Sequence, residues 1–293
     1  MDHITCYRPR KKGNEEMITE ILVAILVGLC FDRAQMQISA TNYGALFNGF
    51  GVIELTTKRN IKAPMAYRVL VPFLVTWVVQ IFHIQEKYKV FVYQAIKAFF
   101  VIVAAWSVIY VFGYFAMFLT FSVLLMTIHY DYWDWPIELA AVVLAIGGHL
   151  YLALLLGTLF ALSRETAVVT GIFYLAATWD WLGAILISIV VVLVLYFVRQ
   201  YVGKRELYCK RVMWKYNIRL FKDFWKWKPF LYSPLFVSVF ITIGTVLSIL
   251  IRPVFWPVSI LLVAGWVLAK ADEPRIFSAC IPFIAVLIGG AIT

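Results

Sequence analysis

Residues 182–198 read LGAILISIVVVLVLYFV, an apolar run without a charged side chain. Runs of this length match the thickness of the hydrocarbon core of a bilayer. In lipid every backbone amide must be paired internally, so a spanning segment is a helix or part of a closed barrel. Barrel strands alternate apolar and polar residues, and this run does not. The sequence therefore predicts a membrane-spanning α-helix here.

Similar apolar runs recur along most of the chain. Apolar residues make up 63% of the sequence and charged residues only 14%, whereas soluble domains average about 25% charged residues. The predicted apolar segments are 17–31, 65–84, 89–112, 114–128, 136–147, 150–162, 166–178, 182–198, 234–251, 255–269 and 276–292. We therefore expect an all-α polytopic membrane protein of about ten spans, with residues 1–293 forming one integral domain.

The N-terminal segment is expected to be a retained, cytoplasmic one. Its basic residues Arg8, Arg10, Lys11 and Lys12 precede the first apolar run, and no small-residue cleavage site follows that run. Basic residues beside a span favour its cytoplasmic side. We therefore predict a cytoplasmic tail over 1–16.

Several classes of site have no signature in the sequence. Four cysteines and four histidines are scattered without the spacing of zinc ligands or of a disulfide framework. Neither a Gly-rich phosphate loop nor a dinucleotide fingerprint occurs, so we expect no nucleotide-dependent catalysis. We predict no metal and no cofactor; a divalent cation is compatible with the carboxylates, but no spacing indicates one.

Two long polar segments separate the apolar runs. The first, 32–64, is predicted to be a loop. The second, 199–233, contains ten Lys or Arg residues against Glu206 and Asp223, so it carries +8 of the net charge of +10. Basic and aromatic residues alternate in it, which indicates an amphipathic helix on anionic lipid headgroups. A solvated cytoplasmic loop fits the same residues equally well, and nucleic acid is not expected as a partner.

The side of the membrane on which these segments lie depends on one apolar run, 65–84. If every run crosses, Arg164 and the basic segment 199–233 are cytoplasmic and lie opposite Asp32, as the positive-inside rule favours. If 65–84 does not cross, Asp32, Arg164 and 199–233 share the external face. Composition alone favours the first arrangement.

Four short charged motifs lie at the ends of apolar runs. Ionisable groups at such depths are costly unless they are paired or solvated, and they commonly mark functional sites. The motifs are Phe31-Asp32-Arg33, Tyr67-Arg68-Val69-Leu70-Val71-Pro72, Ser163-Arg164-Glu165-Thr166 and Asp272-Glu273-Pro274-Arg275.

The order of these motifs, with Asp131 or Asp134 before a short span and Ile281-Pro282 after the last motif, resembles the GT-C superfamily. These multi-span glycosyltransferases use sugars linked to polyprenyl phosphate, and the likeness is greatest to small prokaryotic members. The resemblance implies that two long loops, 32–64 and 199–233, face the extracytoplasmic side and frame the active site. It therefore favours the second arrangement, in a prokaryotic inner membrane.

The resemblance also implies roles for individual residues. Asp32 would be the catalytic base, since a carboxylate that is ionised at neutral pH can accept the proton of an acceptor hydroxyl. Arginine suits the phosphate of the donor because its planar fork donates two hydrogen bonds and stays charged. The residues expected to bind substrate or phosphate are Arg68, Arg164, Glu165, Asp272 and Arg275. Membrane lipids and a polyprenyl-phosphate sugar are the expected partners.

Structural interpretations of the same residues stay open. Asp32 could lie at a helix end among lipid headgroups, and Ser163 could cap a helix that has Glu165 in its first turn. Asp272 and Arg275 could pair across one helical turn. Glu138 could satisfy a neighbour such as His149. The matching functional alternatives are a non-catalytic membrane subunit and a transporter of lipids or small solutes.

Overall fold

The computed structural model describes residues 13–43, 69–127, 134–203, 215, 218–219, 234–268 and 274–289. Among these residues the regular structure is helical and no strand occurs. The longer helices are α1 (Asn14–Tyr43), α2 (Leu70–Ile81), α3 (Lys89–Phe112), α4 (Tyr114–Thr127), α5 (Asp134–Ile146), α6 (Leu150–Ala161), α7 (Val169–Thr178), α8 (Trp181–Val202), α9 (Pro234–Ile251), α10 (Val258–Leu268) and α11 (Ile281–Gly289). The all-α prediction is confirmed for this part of the chain.

Two helical segments of the described chain are long and apolar enough to cross a membrane. They are Glu86–Phe112, with 27 residues, and Trp181–Val202, with 22 residues. The second of these, α8, exposes an apolar stripe in which residues recur every three or four positions. The stripe contains Leu182, Ile185, Leu186, Ile189, Val192, Leu193, Tyr196 and Phe197. A continuous apolar surface of this kind is typical of contact with lipid or with another protein, in agreement with a membrane protein.

The first helix is longer than the first apolar run predicts. α1 continues through Asp32 to Tyr43, so the first part of the predicted loop 32–64 is helical, and 44–64 lie outside the described residues. Helix-favouring residues continue past the apolar run, and both Asp32 and Gln35 are buried. The burial of these polar side chains explains why α1 extends past the apolar run. A polar residue need not end a helix when a neighbouring part of the fold covers it.

Helix α2 occupies only part of the predicted segment 65–84. It has 12 residues, which corresponds to a length of about 18 Å against a hydrocarbon core of about 30 Å. Its buried face comprises Leu70, Val71, Pro72, Val75 and Val79. A single straight crossing by this helix would leave part of the bilayer unspanned.

The chain divides into two compact units, one of Met1–Val111 with His129–Tyr208 and one of Phe112–Ile128 with Cys209–Thr293. In unit 2, the rings of Phe112, Phe255 and Phe283 pack with centroids 5.1 to 6.3 Å apart. The expectation of one integral domain over 1–293 stays a prediction.

In unit 1, helices α1 and α3 are antiparallel. A Cβ on Gly28 would lie 3.0 Å from the Cα of Ile102, and the Asp32 carboxylate binds Lys97. Along α1 the residue numbers rise from 28 to 32, while those of the facing residues on α3 fall from 102 to 97. Since the two helices are antiparallel, the end of α1 and the start of α3 lie at the same end of unit 1.

Helices α5 to α8 run back and forth beside this pair. Trp135, at the start of α5, packs on Phe31, while Gly147, just after α5, lies against Val111 near the end of α3. Helix α6 returns, and α8 runs parallel to α6, with Gly183 beside Leu150 and Val191 beside Gly157. The start of α5, the end of α6 and the end of α8 therefore lie at one end of unit 1.

Asp180 fixes the start of α8. Its Oδ1 accepts a hydrogen bond from the N–H of Gly183 at 3.0 Å, and its Oδ2 accepts one from the Tyr174 hydroxyl at 3.1 Å. Trp179, with φ of 57°, makes the left-handed turn between α7 and α8. The carboxylate thus caps α8 and ties it to α7.

We expect Asp180→Ala to lower the free energy of unfolding by about 1 kcal/mol, because one N–H of the first turn of α8 loses its acceptor. The thermal unfolding midpoint of the purified protein in detergent measures the change. Asp180→Asn keeps an acceptor oxygen and is the matched control. Equal midpoints for the alanine and asparagine variants would contradict the capping role.

Candidate functional site

A buried ion pair joins α1 and α3. The Lys97 Nζ lies 2.6 Å from Asp32 Oδ1, and the two side chains are 0% and 9% exposed. Burying two charges costs free energy that close pairing offsets, and removal of either partner leaves an uncompensated charge. Lys97 was not among the residues singled out from the sequence. The available signal was a lone lysine in the middle of the apolar run 89–112, which the rule for intramembrane charges would have identified.

A second cluster joins α5 to the turn after α6. Arg164 Nε lies 3.3 Å from Asp134 Oδ2, and Arg164 also donates a hydrogen bond to Glu138. Asp134 and Glu138 are four residues apart on α5, so they share one face of the helix. Their side chains are 5% and 4% exposed, and that of Arg164 is 17% exposed. One guanidinium therefore bridges two buried carboxylates.

The charge of Arg164 is secured by these neighbours. Burial alone would lower the pKa of the guanidinium, but the attraction of Glu138 and Asp134 and the hydrogen bond to Glu138 outweigh burial and raise that pKa. Glu165, which begins the 3-10 turn Glu165–Val168, contributes in the same direction. Arg164 is therefore a permanent cation that is already engaged by acids of its own chain.

An aromatic contact brings the two clusters together. The rings of Phe31 and Trp135 meet edge to face with centroids 5.4 Å apart. Phe31 precedes Asp32 on α1, and Trp135 follows Asp134 on α5. Asp32 and Arg164, which the two sequence-based arrangements placed on the same side or on opposite sides, thus lie at the same end of unit 1. We call the set Asp32, Lys97, Asp134, Glu138 and Arg164 the charged end.

The motif that contains Arg68 also reaches this end. The N–H of Val69 donates a hydrogen bond of 2.9 Å to the carbonyl of Leu162, two residues before Arg164. Arg68 itself lies outside the described residues. The start of α2 is therefore anchored beside the turn that carries Arg164.

The remaining predicted site residues are not brought to the charged end by the described structure. Asp131 and Asp272 lie outside the described residues. Arg275 belongs to the 3-10 helix Pro274–Cys280 of unit 2, and its side chain is not described. Their predicted roles, and the pairing of Asp272 with Arg275, stay predictions.

Two structural interpretations from the sequence are wrong. Glu138 binds Arg164 rather than His149, which packs on the Tyr110 ring at a centroid distance of 4.9 Å. The N-cap position of the 3-10 turn after α6 is Arg164 and makes no side-chain capping bond, so Ser163 does not cap it. The first error arises because Glu138 and Arg164 are 26 residues apart and meet only through helix packing.

Among the residues that the structure describes, no group of three or more His, Cys, Asp or Glu side chains could hold a metal ion. The charged end instead offers a carboxylate held by a lysine and a guanidinium held by two carboxylates. Chemically, such groups can accept a proton, stabilise an anion or simply hold helices together. Comparison with family models, with curated proteins and with solved structures found no match to this chain.

Proposed function

We propose that the protein is an integral membrane glycosyltransferase of the GT-C type, with about ten spans, which transfers sugar from a polyprenyl-phosphate donor at the extracytoplasmic face. The observation that carries the proposal is that Asp32 and Arg164 lie at the same end of unit 1, where their neighbours Phe31 and Trp135 are in contact. A transferase of this kind needs its base and its phosphate ligand in one place. The contact between Phe31 and Trp135 supports the arrangement in which both residues face the same side of the membrane.

In the reaction, an acceptor hydroxyl attacks the anomeric carbon of the donor. The new glycosidic C–O bond forms while the bond from that carbon to the phosphate oxygen breaks, and the phosphate leaves with the bonding electron pair. Asp32 takes the hydroxyl proton. Arg164 stabilises the charge that develops on the phosphate, and Asp134 and Glu138 hold its guanidinium in place. The polyprenyl tail remains in lipid throughout.

Helix α8 supports a location of the charged end at one membrane interface. Trp179 and Trp181 are exposed at its start, and Tyr196 and Tyr201 are exposed toward its end. Positions 181 and 201 are separated by about 30 Å along a helix, which equals a hydrocarbon core. Exposed aromatic residues at both ends of a span are typical of the two membrane interfaces.

The orientation follows from α1. With the 1–16 tail in the cytoplasm and α1 crossing once, the charged end and the end of α8 face outward. The basic segment 199–233, which begins at the end of α8, would then run against the usual bias of Lys and Arg toward the cytoplasm. The proposal and the positive-inside rule therefore predict opposite orientations, and labelling can decide between them.

We expect Gln200→Cys, in a variant without Cys6, Cys30, Cys209 and Cys280, to react with an impermeant maleimide in intact cells. Position 200 is exposed near the end of α8. Gly13→Cys, in an exposed position just before α1, is the matched control and should react only after permeabilisation. The reverse pattern would place the charged end in the cytoplasm and end the proposal of extracytoplasmic transfer.

We expect Asp32→Asn to abolish sugar transfer, because asparagine keeps the size and a hydrogen-bonding oxygen but cannot take the proton. The variant also loses the ion pair with Lys97, so its turnover is measured below its own thermal midpoint. The test uses the full chain in lipid nanodiscs with radiolabelled glucosyl, mannosyl and arabinosyl decaprenyl phosphates, and measures the sugar lost from the donor. Glu86→Gln removes an exposed carboxylate and is the control. No turnover of any donor by the wild type, or unchanged turnover by Asp32→Asn, would refute the proposal.

One observation favours a second candidate, a non-catalytic membrane subunit of the same fold. Asp32 and Arg164 both have partners within the chain and are largely buried, as structural ion pairs are. This candidate predicts that Asp32→Asn lowers thermal stability and changes no donor turnover, since there is none to change.

A further inference from the structure

Lys97 is the most deeply buried member of the charged end. Its side chain is 0% exposed, and its Nζ lies 2.6 Å from Asp32 Oδ1. It lies about 12 Å along α3 from Lys89, the first residue of that helix. An ammonium group at such depth is stable only beside an opposite charge. A side chain with no exposed surface cannot itself contact a donor, so any role in the reaction must act through Asp32.

The backbones of α1 and α3 hold the two groups in register. Gly28, one helical turn before Asp32, lies so close to α3 that an added Cβ would be 2.7 Å from the Ile102 side chain and 3.0 Å from its Cα. Two helices in direct backbone contact have little freedom to slide. The position of the Lys97 ammonium relative to Asp32 is therefore set by main-chain packing.

We propose that Lys97 is a positioning residue for Asp32 and keeps its carboxylate ionised and oriented for proton transfer. The inference rests on the proposed function. Desolvation at a buried site favours the neutral acid, and an adjacent ammonium opposes this. When Asp32 takes the proton of the acceptor hydroxyl, the ion pair loses its negative partner. Release of that proton to water after product departure restores the pair for the next cycle.

The experiment measures kcat, the KM for the donor and the thermal midpoint for Lys97→Met, Lys97→Arg and the exchange Asp32→Lys with Lys97→Asp. We expect Lys97→Met to lower kcat about a hundredfold, as loss of orientation does. The donor KM should stay within about twofold, because Lys97 does not touch the donor. Lys97→Arg retains the charge and should recover much of the rate.

The exchange variant separates the effect of the ion pair on stability from the need for the carboxylate on α1. It restores an ion pair between α1 and α3, so the thermal midpoint should recover, yet it moves the carboxylate to α3, so kcat should not recover. If the exchange variant is as active as the wild type, or if Lys97→Met keeps the wild-type kcat, the inference is overturned. Should Lys97→Met fail to fold, Lys97→Arg still decides, because a folded Lys97→Arg with a kcat about a hundredfold below that of the wild type would overturn the inference.

The failure of the proposed function has a different pattern. A wild type that turns over none of the donors overturns the transferase proposal and the positioning role with it. An active wild type and an inactive Asp32→Asn beside a fully active Lys97→Met overturn the positioning role alone.

Discussion

Replacing Arg164 by Met is expected to destabilise the protein by about 3–5 kcal/mol, the cost of breaking a buried ion pair from one side. The guanidinium bridges Asp134 and Glu138, which are almost fully buried on α5. Methionine keeps an unbranched apolar stem but lacks the guanidinium, so the two carboxylates lose this partner. The thermal unfolding midpoint, or the fraction folded across a denaturant series, measures the loss.

Arg199→Met is the matched control, because Arg199 is exposed on α8 and exposed charges contribute about 0–1 kcal/mol. The variant that combines Arg164→Met with Asp134→Asn and Glu138→Gln should recover part of the stability, since neutral amides are cheaper to bury than carboxylates that have lost the guanidinium. A small loss for Arg164→Met, equal to that of Arg199→Met, would show that the bridge contributes little to stability.

Replacing Gly28 by Leu is expected to separate α1 from α3. Even a Cβ at this position would lie 3.0 Å from the Cα of Ile102. A main-chain atom can move away from such a contact only if the whole helix shifts. Overpacking of this kind typically costs about 1–3 kcal/mol, and the shift would also weaken the contact between Asp32 and Lys97, one turn away. We therefore expect a lower thermal midpoint together with lower activity.

Gly13→Leu provides the control, because a Cβ on Gly13 meets no atom within 4 Å. Both variants replace a glycine by the same apolar side chain, so the larger loss expected for Gly28→Leu reports the contact with Ile102. If Gly28→Leu unfolds at the same temperature as Gly13→Leu, the close approach of α1 and α3 is not present in the protein in solution.

The ion pairs of the charged end link several helices, which matters for both candidate functions. Each charge of the set forms an ion pair with a side chain from another part of the fold. These ion pairs link α1 to α3, and α5 to the turn before α7. A transferase would use this to hold a base and a phosphate ligand in place. A subunit would use it only to hold its helices together. Activity and stability must therefore be measured on the same variants.

The end of α1 was predicted wrongly because polarity along the chain does not show which polar residues are buried. The polarity of residues after Phe31 predicts the end of a span, yet α1 continues to Tyr43. The prediction treated polar residues as exposed. Asp32 and Gln35 are instead buried, because α3 supplies a lysine to pair with the acid. Whether a polar residue ends a helix or lies within it depends on what packs against it.

Composition and the pattern along the chain were sufficient to predict that the described chain is helical and that Asp32 and Arg164 are exceptional residues. Both conclusions rest on local properties, namely the length of apolar runs and the cost of placing a charge beside them. The pairing of the charges follows from the packing of the helices: Asp32 binds Lys97, and Arg164 binds Asp134 and Glu138. These partners are far apart in sequence, and their pairing depends on the antiparallel packing of α1 on α3 and on the return of α6 beside α5. Helix direction and register depend on how the helices pack against one another, so the composition of one segment does not predict them.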